Sequence, residues 1–490
     1  FYMEYFGSID QGTTSSRFIV FDQDSNLITS HQIEFEQLLP QPGYVEHDPE
    51  EIWNSVVNCV QEVAKKFDLS LLSSIGITNQ RETTIAWRKS TGKVLYNAIV
   101  WQDTRTQNIC NQIKEISELK LEFEKTGLPI ATYFSLSKII WLSENIKEVK
   151  NAQIEDDICF GTVDSWLIYK LTGACMTDVS NASRTLMYDL YNLDWNDKIL
   201  NYFNISRSSL PQVKPSLSIF AHKTELFRDV PISSVLGDQQ ASLFGHYGFK
   251  KGSIKNTYGT GCFLLCNTGT EIIKSNNGLI TTIAYQVENE PPVYALEGSV
   301  AIAGASIQWL RDNLGIIKKS SDVDKLALEV KDNGDVYFVP AFSGLFSPHW
   351  DPTARGTIVG LTRYSNKSHI ARSVLESVAY QTNDVLFALS QDLNHDQFVL
   401  SVDGGMVKSN LLMQYQSDIS NIRVQAPNLH ETTAYGVALA SYVYVKNLDL
   451  KSLSTSSKTL KTWSPNMSDQ KRQNSLMSWN KALEKAKNWL

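Results

Sequence analysis

Two rhythms of apolar residues run along the chain. One is the short, nearly unbroken apolar run: Phe18-Ile19-Val20-Phe21, Ser74 to Thr78, Val293 to Leu296, Val336 to Val339 and Phe398 to Val402. Such runs predict strands, those apolar on both faces belonging to a buried parallel sheet. His31 to Phe35 alternates and predicts another strand. The second rhythm is helical. Ile52, Trp53, Val56, Val57, Val60, Val63, Ala64 and Phe67 recur at three- and four-residue spacing, an amphipathic helix of about five turns. Asp48-Pro49-Glu50-Glu51 marks its start with a capping side chain, a proline in the first turn and early acids. A longer helix is predicted from Lys367 to Leu393, with Ile370, Val374, Val378, Thr382 and Val385 on one face. Others are expected from Val300 to Asn313 and near Ser409. A Ser-, Lys- and Asn-rich connector from Lys446 leads to a terminal helix carrying Met477, Trp479, Ala482 and Trp489. Thr83 to Trp87 and Val94 to Trp101 flank Ser90-Thr91-Gly92-Lys93 as a hairpin, while Phe160 to Thr172 and Asn181 to Tyr188 hold elements that periodicity does not order. Strands alternating with helices give an α/β class.

Chemistry gathers at the strand ends. Ser8 to Asp22 reads as strand, tight turn and return strand, with Gly12 expected at an unusual backbone angle. Its turn offers backbone N–H groups and the hydroxyls of Thr13, Thr14 and Ser15 to phosphate oxygens. Asp10 suits a hydrated Mg²⁺, and Arg17 adds a positive charge. An ordinary hairpin with a polar tip is the other reading of this stretch. Ser253 to Leu265 repeats the pattern around Gly259-Thr260-Gly261. Two such hairpins, each near the start of a half-chain, predict a duplicated domain. The strand ending at Thr78 runs into Asn79-Gln80-Arg81-Glu82, where α/β sheets collect ligands. Asp403-Gly404-Gly405 then forms a strand–glycine turn–helix, either a nucleotide site or a plain connection.

Composition narrows the class. A chain of 490 residues exceeds one ordinary domain. A net charge of −7 supplies no basic excess for a nucleic-acid backbone. Cys59, Cys110, Cys159, Cys175, Cys262 and Cys266 include no CxxC pair and no matching His spacing. Free thiols in a reducing compartment are expected rather than zinc. No apolar stretch approaches a membrane span, and the cytoplasm is the expected location.

The blocks just quoted resemble the glycerol-phosphorylating branch of the FGGY carbohydrate kinases, within the actin-like ATPase superfamily. Asp10 to Arg17 is similar to the family's first phosphate loop. Thr78 to Thr84 and Asn97 to Arg105 resemble its polyol segments. Tyr133 to Asn145 and Gly356 to Glu376 fit its two signatures, and Gly237-Asp238-Gln239-Gln240 resembles the block with the catalytic aspartate. The resemblance implies two duplicated actin-like (ribonuclease H-like) domains, here 1–246 and 247–490, flanking a cleft. It implies MgATP-dependent phosphorylation of glycerol to sn-glycerol 3-phosphate, and a homodimer. Arg81, Glu82, Tyr133, Asp238 and Gln239 would hold glycerol, with Trp101 and Phe263 against its carbon face. Thr13, Thr14, Ser15, Arg17 and Thr260 would meet the phosphates; Gly304, Gln308, Gly405, Ser409 and Asn410 would line the nucleotide. Asp238 would be the base, and Asp10 and Asp238 would hold the metal. Taken alone, Arg81 and Glu82 read as a surface ion pair and the two aromatics as core.

The chain departs from the family at Met406 and the Ser409-Asn410 pair, and slightly at Ser347-Pro348-His349-Trp350. Phe220 to Pro231 lacks the Gly-Gly-x-Gly-Gly-x-Arg loop that binds fructose 1,6-bisphosphate in bacterial relatives. Two rivals stay open. A family member acting on another polyol is separated by a substrate panel. An actin-like ATPase scaffold has no reason to keep polar residues at Arg81, Glu82 and Tyr133.

Overall fold

A computed structural model describes residues 3–395, 397–428, 431–453 and 461–490. The connector from Lys446 therefore lies partly outside the described residues. Two large sheets organise the chain. The first contains β1 (Tyr5–Gln11), β2 (Ser15–Asp22), β3 (Leu27–Glu34), β4 (Leu72–Asn79), β5 (Leu217–Ala221) and β6 (Ile232–Gly237). Their order is β5-β6-β4-β1-β2-β3. The second contains β7 (Ile254–Tyr258), β8 (Cys262–Gly269), β9 (Ile280–Tyr285), β10 (Val293–Val300), β11 (Val399–Asp403), β12 (Arg423–Ala426) and β13 (Lys461–Trp463). Their order is β9-β10-β8-β7-β11-β12-β13. Apart from the extra edge strand β9 and the chain order at the antiparallel edge, where β5 precedes β6 but β13 follows β12, the two sheets share one strand arrangement. Each has an antiparallel three-strand meander, two parallel strands beside its first strand, and an antiparallel edge. The fold is a duplicated α/β architecture.

Eight principal helices accompany the sheets: α1 (Pro49–Ala64), α2 (Ser135–Asn145), α3 (Asp238–Gly245), α4 (Gly304–Asp312), α5 (Lys367–Leu393), α6 (Asn410–Ser420), α7 (Thr432–Lys446) and α8 (Asp469–Ala486). In α1 the Asp48 side chain accepts from the Glu50 N–H and Pro49 opens the first turn, the capping the local sequence predicts. Helix α5 has the predicted bounds. Among the described residues no helix is long and apolar enough to cross a membrane.

The halves meet through helices. Helix α7 follows the second sheet's last parallel strand yet lies on the first sheet. Ser234 Oγ donates to Val437 O at 2.8 Å, and Ser74 and Ser441 hydroxyls meet at 3.0 Å. It also crosses α3 closely: a Cβ on Gly436 would sit 1.8 Å from Ala241 O. Only glycine permits that approach, so any larger residue must push the helices apart. Phe6, Phe21, Leu236, Phe244, Leu265, Ala295 and Val437 fill the seam as one buried apolar cluster.

Several local expectations change. The α1 helix ends at Ala64, and Phe67 turns back to place its ring 5.1 Å from Tyr5. The segment from Val300 is strand first; α4 begins only at Gly304. Trp489 lies beyond α8 and is exposed. The Thr83–Trp101 hairpin survives as the bridges Thr84–Ile99 and Trp87–Val94, but its strands pair with Cys159–Gly161 and Glu46–His47. Long-range partners outcompeted the local turn there. Gly12 does not adopt a positive φ. Its N–H closes the turn onto Ser15 O at 2.9 Å.

Candidate active site

Three parallel strands of the first sheet end level with one another: Gln11 pairs with Asn79, and Asn79 with Gly237. Asp10, the Gln80-Arg81-Glu82 segment and Asp238 are therefore delivered to one edge, as strand ends in α/β sheets do. Arg81 and Glu82 are both buried, which removes the surface-pair reading. Arg81 grips Glu297 through both terminal nitrogens, at 2.5 and 2.9 Å. Its Nε lies 3.3 Å from Asp238 Oδ1 and 3.8 Å from Glu82 Oε1. Arg184 completes the cluster, donating from Nε to Glu82 Oε1 at 2.7 Å and from Nη2 to Glu297 Oε1 at 3.0 Å.

Two guanidinium groups thus balance Glu82 and Glu297, and Asp238 remains beside them as an additional carboxylate. Burial raises Glu297, but Arg184 and Arg81 outweigh it and hold the group down at about 2. Asp238 goes the other way: burial pushes it up to about 6, Glu82 adds to this, and Arg81 only partly opposes it. A carboxylate whose pKa lies near neutrality, with a side chain still 30% exposed, is suited to exchange a proton. Glu82 itself has φ +58°, a left-handed conformation costing about 1–3 kcal/mol for a residue of this type. Its carbonyl is held by Thr84 Oγ1 at 2.9 Å and Ser135 Oγ at 3.2 Å.

An aromatic wall closes the same edge. Trp101 lies 5.7 Å from Tyr133 and 5.9 Å from Phe263, and Tyr133 lies 5.8 Å from Phe346. Trp101 and Phe263 remain partly exposed, so neither is a plain core ring. Trp101 Nε1 donates to Thr13 Oγ1 at 3.0 Å, tying the wall to the first hairpin turn. Lys138 of α2 is fully buried and donates to the carbonyls of Thr132, Tyr133 and Phe134 at 2.5, 3.0 and 3.2 Å. It thereby fixes the backbone under Tyr133.

Both hairpins reach this wall, the first through Thr13 on Trp101 and the second through Phe263 beside it. In the first, Thr13 and Ser15 are half-buried and Thr14 is exposed. Arg17 is engaged by Asp10 on the paired strand and by Glu431 before α7, rather than standing alone. In the second, the amides of Ala303 and Ala305 donate to Thr260 O at 2.8 and 3.1 Å, and Gly304 N to Gly259 O at 3.0 Å. The Gly259–Thr260 turn and the start of α4 are therefore joined, with Gln308 exposed one turn along α4. Gly404 has φ +95°, and a Cβ there would lie 2.3 Å from Tyr258 O. Gly405 opens onto free space. Ser409 caps α6 through the Leu412 N–H at 3.0 Å, which leaves Asn410 exposed on the first turn.

Two family patterns match the chain over most of its length. The FGGY family of carbohydrate kinases, N-terminal domain, matches residues 5–245, and the C-terminal domain of the same family matches residues 254–444. The chain belongs to the FGGY family of carbohydrate kinases. Among its FGGY relatives, the glycerol kinase of Clavibacter michiganensis subsp. michiganensis is 47% identical over 497 residues, covering 99% of this chain and 98% of that protein. The glycerol kinase of Leifsonia xyli subsp. xyli is 47% identical over 499 residues, with the same coverage. The crystal structure of Plasmodium falciparum glycerol kinase with ADP is 39% identical and superposes with a TM-score of 0.91, covering 99% of this chain and 98% of that one. The gluconate kinase of Lactobacillus acidophilus, 22% identical with a TM-score of 0.85, shares the fold.

Four residues packed at this edge escaped the sequence reading: Arg184, Glu297, Phe346 and Lys255, whose Nζ donates to Gln239 Oε1 and Phe263 O. Glu297 had a signal, since an acid amid the apolar run of β10 needs a buried partner. Arg184 lay in a stretch with no usable periodicity. The other two become visible only through their contacts.

Proposed function

We propose that this chain transfers the terminal phosphoryl group of ATP to a terminal hydroxyl of glycerol, giving sn-glycerol 3-phosphate. The observation that carries the reading is the buried Arg81–Glu82–Arg184–Glu297 cluster with Asp238 beside it, walled by Trp101, Tyr133 and Phe263. A triol needs donors and acceptors interleaved at close range. Arg81, Glu82, Tyr133 and Gln239 supply both around a small apolar wall. Such a site rejects deoxy analogues, because its buried polar groups would be left unpaired. Asp238 accepts the proton of the attacking hydroxyl during or after transfer, since an alcohol is too weak an acid to ionise beforehand.

The phosphates of ATP are assigned to the turns with Thr13, Thr14, Ser15 and Thr260 and to the Arg17 side chain; the rest of the nucleotide to Gly304, Gln308, Gly405, Ser409 and Asn410. Among the described residues no three acidic, His or Cys side chains gather as a self-sufficient metal cage. The Asp238 side chain is 30% exposed, as a ligand to Mg²⁺ must be, since that ion takes one or two carboxylates and fills its remaining positions with water and phosphate oxygens. Asp10 and Asp238 would hold it. When bound, Mg²⁺ neutralises charge on the transferring group.

We place the division between the halves at 246/247, supported by the separate membership of the two sheets. A homodimer rests on the resemblance to the family, and a cytoplasmic location on the reading of the six cysteines as free thiols in a reducing compartment. Glycerol-dependent ADP release tests the reading against a panel of pentuloses and longer polyols. ADP release that is independent of glycerol, or faster with another acceptor, overturns it.

A further inference from the structure

Helix α3 begins with Asp238 and is held along its length by the opposite half. Asp403 ends β11, directly before the Gly404–Gly405 turn. Its Oδ2 accepts from Ser242 Oγ at 2.7 Å and lies 2.6 Å from His246 Nε2. The Asp403 and His246 side chains are each only 5% exposed. Ser242 and His246 are four residues apart and share one face of the helical turn. Lys255 of β7, also fully buried, reaches the other end of the helix. Its Nζ donates to Gln239 Oε1 at 2.5 Å, Thr257 Oγ1 at 3.0 Å and Phe263 O at 3.2 Å.

The three ties fall at positions 239, 242 and 246, so every turn of α3 is fastened to the second sheet. The helix cannot slide or rotate without stripping a buried carboxylate or ammonium of its partners, which is costly in a low-dielectric interior. Lysine can only donate, so the Gln239 amide must turn its oxygen toward Lys255 and present its NH₂ group elsewhere. Asp403, Ser242 and His246 stand outside the cluster around Arg81, and Lys255 reaches it only through Gln239 and Phe263; none of the four is assigned a contact with acceptor or nucleotide.

We propose that Asp403 and Lys255 are positioning residues for the reaction: Asp403, through Ser242 and His246, sets the Asp238 carboxylate against the nucleotide turn, and Lys255 orients Gln239 toward the acceptor. The proposal rests on the reading of Asp238 as proton acceptor. Displacement of a reacting group by about 1 Å can cost roughly 100-fold in rate, so small shifts of α3 are enough to matter.

The test uses the full-length enzyme, with melting temperatures measured beside kcat and both KM values. His246→Leu should lower kcat by about 10- to 100-fold at saturating glycerol and ATP, with the KM for ATP changed less than about threefold, because Asp403 and the glycine turn are untouched. His246→Gln keeps an N–H donor and should recover kcat to within about threefold of the parent. Lys255→Met should act mainly on the KM for glycerol, raising it by about tenfold or more. Should His246→Leu fail to fold, Ser242→Ala, which removes a single hydroxyl, carries the same expectation of lower kcat at constant KM for ATP. A lower melting temperature with unchanged kcat, or a His246→Gln enzyme as impaired as His246→Leu, makes the network merely structural and overturns the proposal. A parent enzyme that does not phosphorylate glycerol overturns the underlying reading instead; a fully active parent with fully active variants overturns this proposal alone.

Discussion

The two hairpins occupy equivalent places in two sheets of one strand arrangement, yet they carry opposite chemistry. In the first, Asp10 stands across the ladder from Arg17; in the second, the paired positions are Thr257 and Phe263. One half places a charged pair beside its turn, the other a hydroxyl and a ring. The neighbouring parallel strands diverge likewise. The strand ending at Asn79 delivers the Gln80-Arg81-Glu82 side chains, whereas the strand ending at Asp403 delivers a bare glycine turn with φ +95° at Gly404. The two sheets therefore present strand ends alike, and in the proposed assignment side-chain identity divides the labour. A polyol demands directed side-chain donors and acceptors; a nucleotide phosphate is served by backbone N–H groups and hydroxyls.

The largest test of that division is Asp238→Asn. Turnover should fall by roughly 10²–10⁴-fold, with the lower part of that range favoured by a loose transition state. Glycerol binding by calorimetry should persist, held by Arg81, Glu82, Tyr133 and Gln239. Near-normal turnover would move the proton acceptor elsewhere.

Next in size is Glu82→Gln. The amide still accepts from Arg184 but removes one of the carboxylates that balance the two guanidinium groups, leaving Glu297 and Asp238 beside them. A loss of about 1.5–3 kcal/mol in glycerol binding is expected for a charged hydrogen bond, seen as a raised KM for glycerol and little change for ATP. If the KM for ATP rises instead, the first half does not own the acceptor site.

The pH dependence should be smaller and of definite sign. Burial raises Asp238 to about 6, and a proton acceptor works only when ionised, so kcat/KM for glycerol should rise with pH through about 6 and then level off. Asp238→Asn should abolish that limb while leaving any limb from other groups in place. A profile flat from pH 5 to 8 (about one unit or more either side of that value) contradicts the assignment.

The smallest expected effect is none. Fructose 1,6-bisphosphate should not inhibit, since Phe220, Phe227 and Val230 of the 220–231 stretch are buried in the core beside α1, and no glycine-rich run exposes amides to two phosphates. Substantial inhibition at millimolar concentration would refute this.

Most of the scaffold was legible in the residues alone. Both hairpins, the capped α1, the 27-residue α5 and the glycine turn after β11 follow from local spacing, because periodicity, caps and turns act over a few residues. Resemblance to the family then marked Arg81, Glu82 and Asp238 for the site. What the tertiary structure decided was who faces whom. Arg81 meets Glu297 across 216 residues of sequence, Arg184 meets Glu297 across 113, and His246 meets Asp403 across 157. A charge in a strand or helix gives no sign of its partner, since burial and pairing depend on which surfaces the fold brings together. The same limit explains the split hairpin at Thr83–Trp101 and the strand that displaced the start of α4: a local turn or helix signal was outweighed by neighbours contributed from distant sequence.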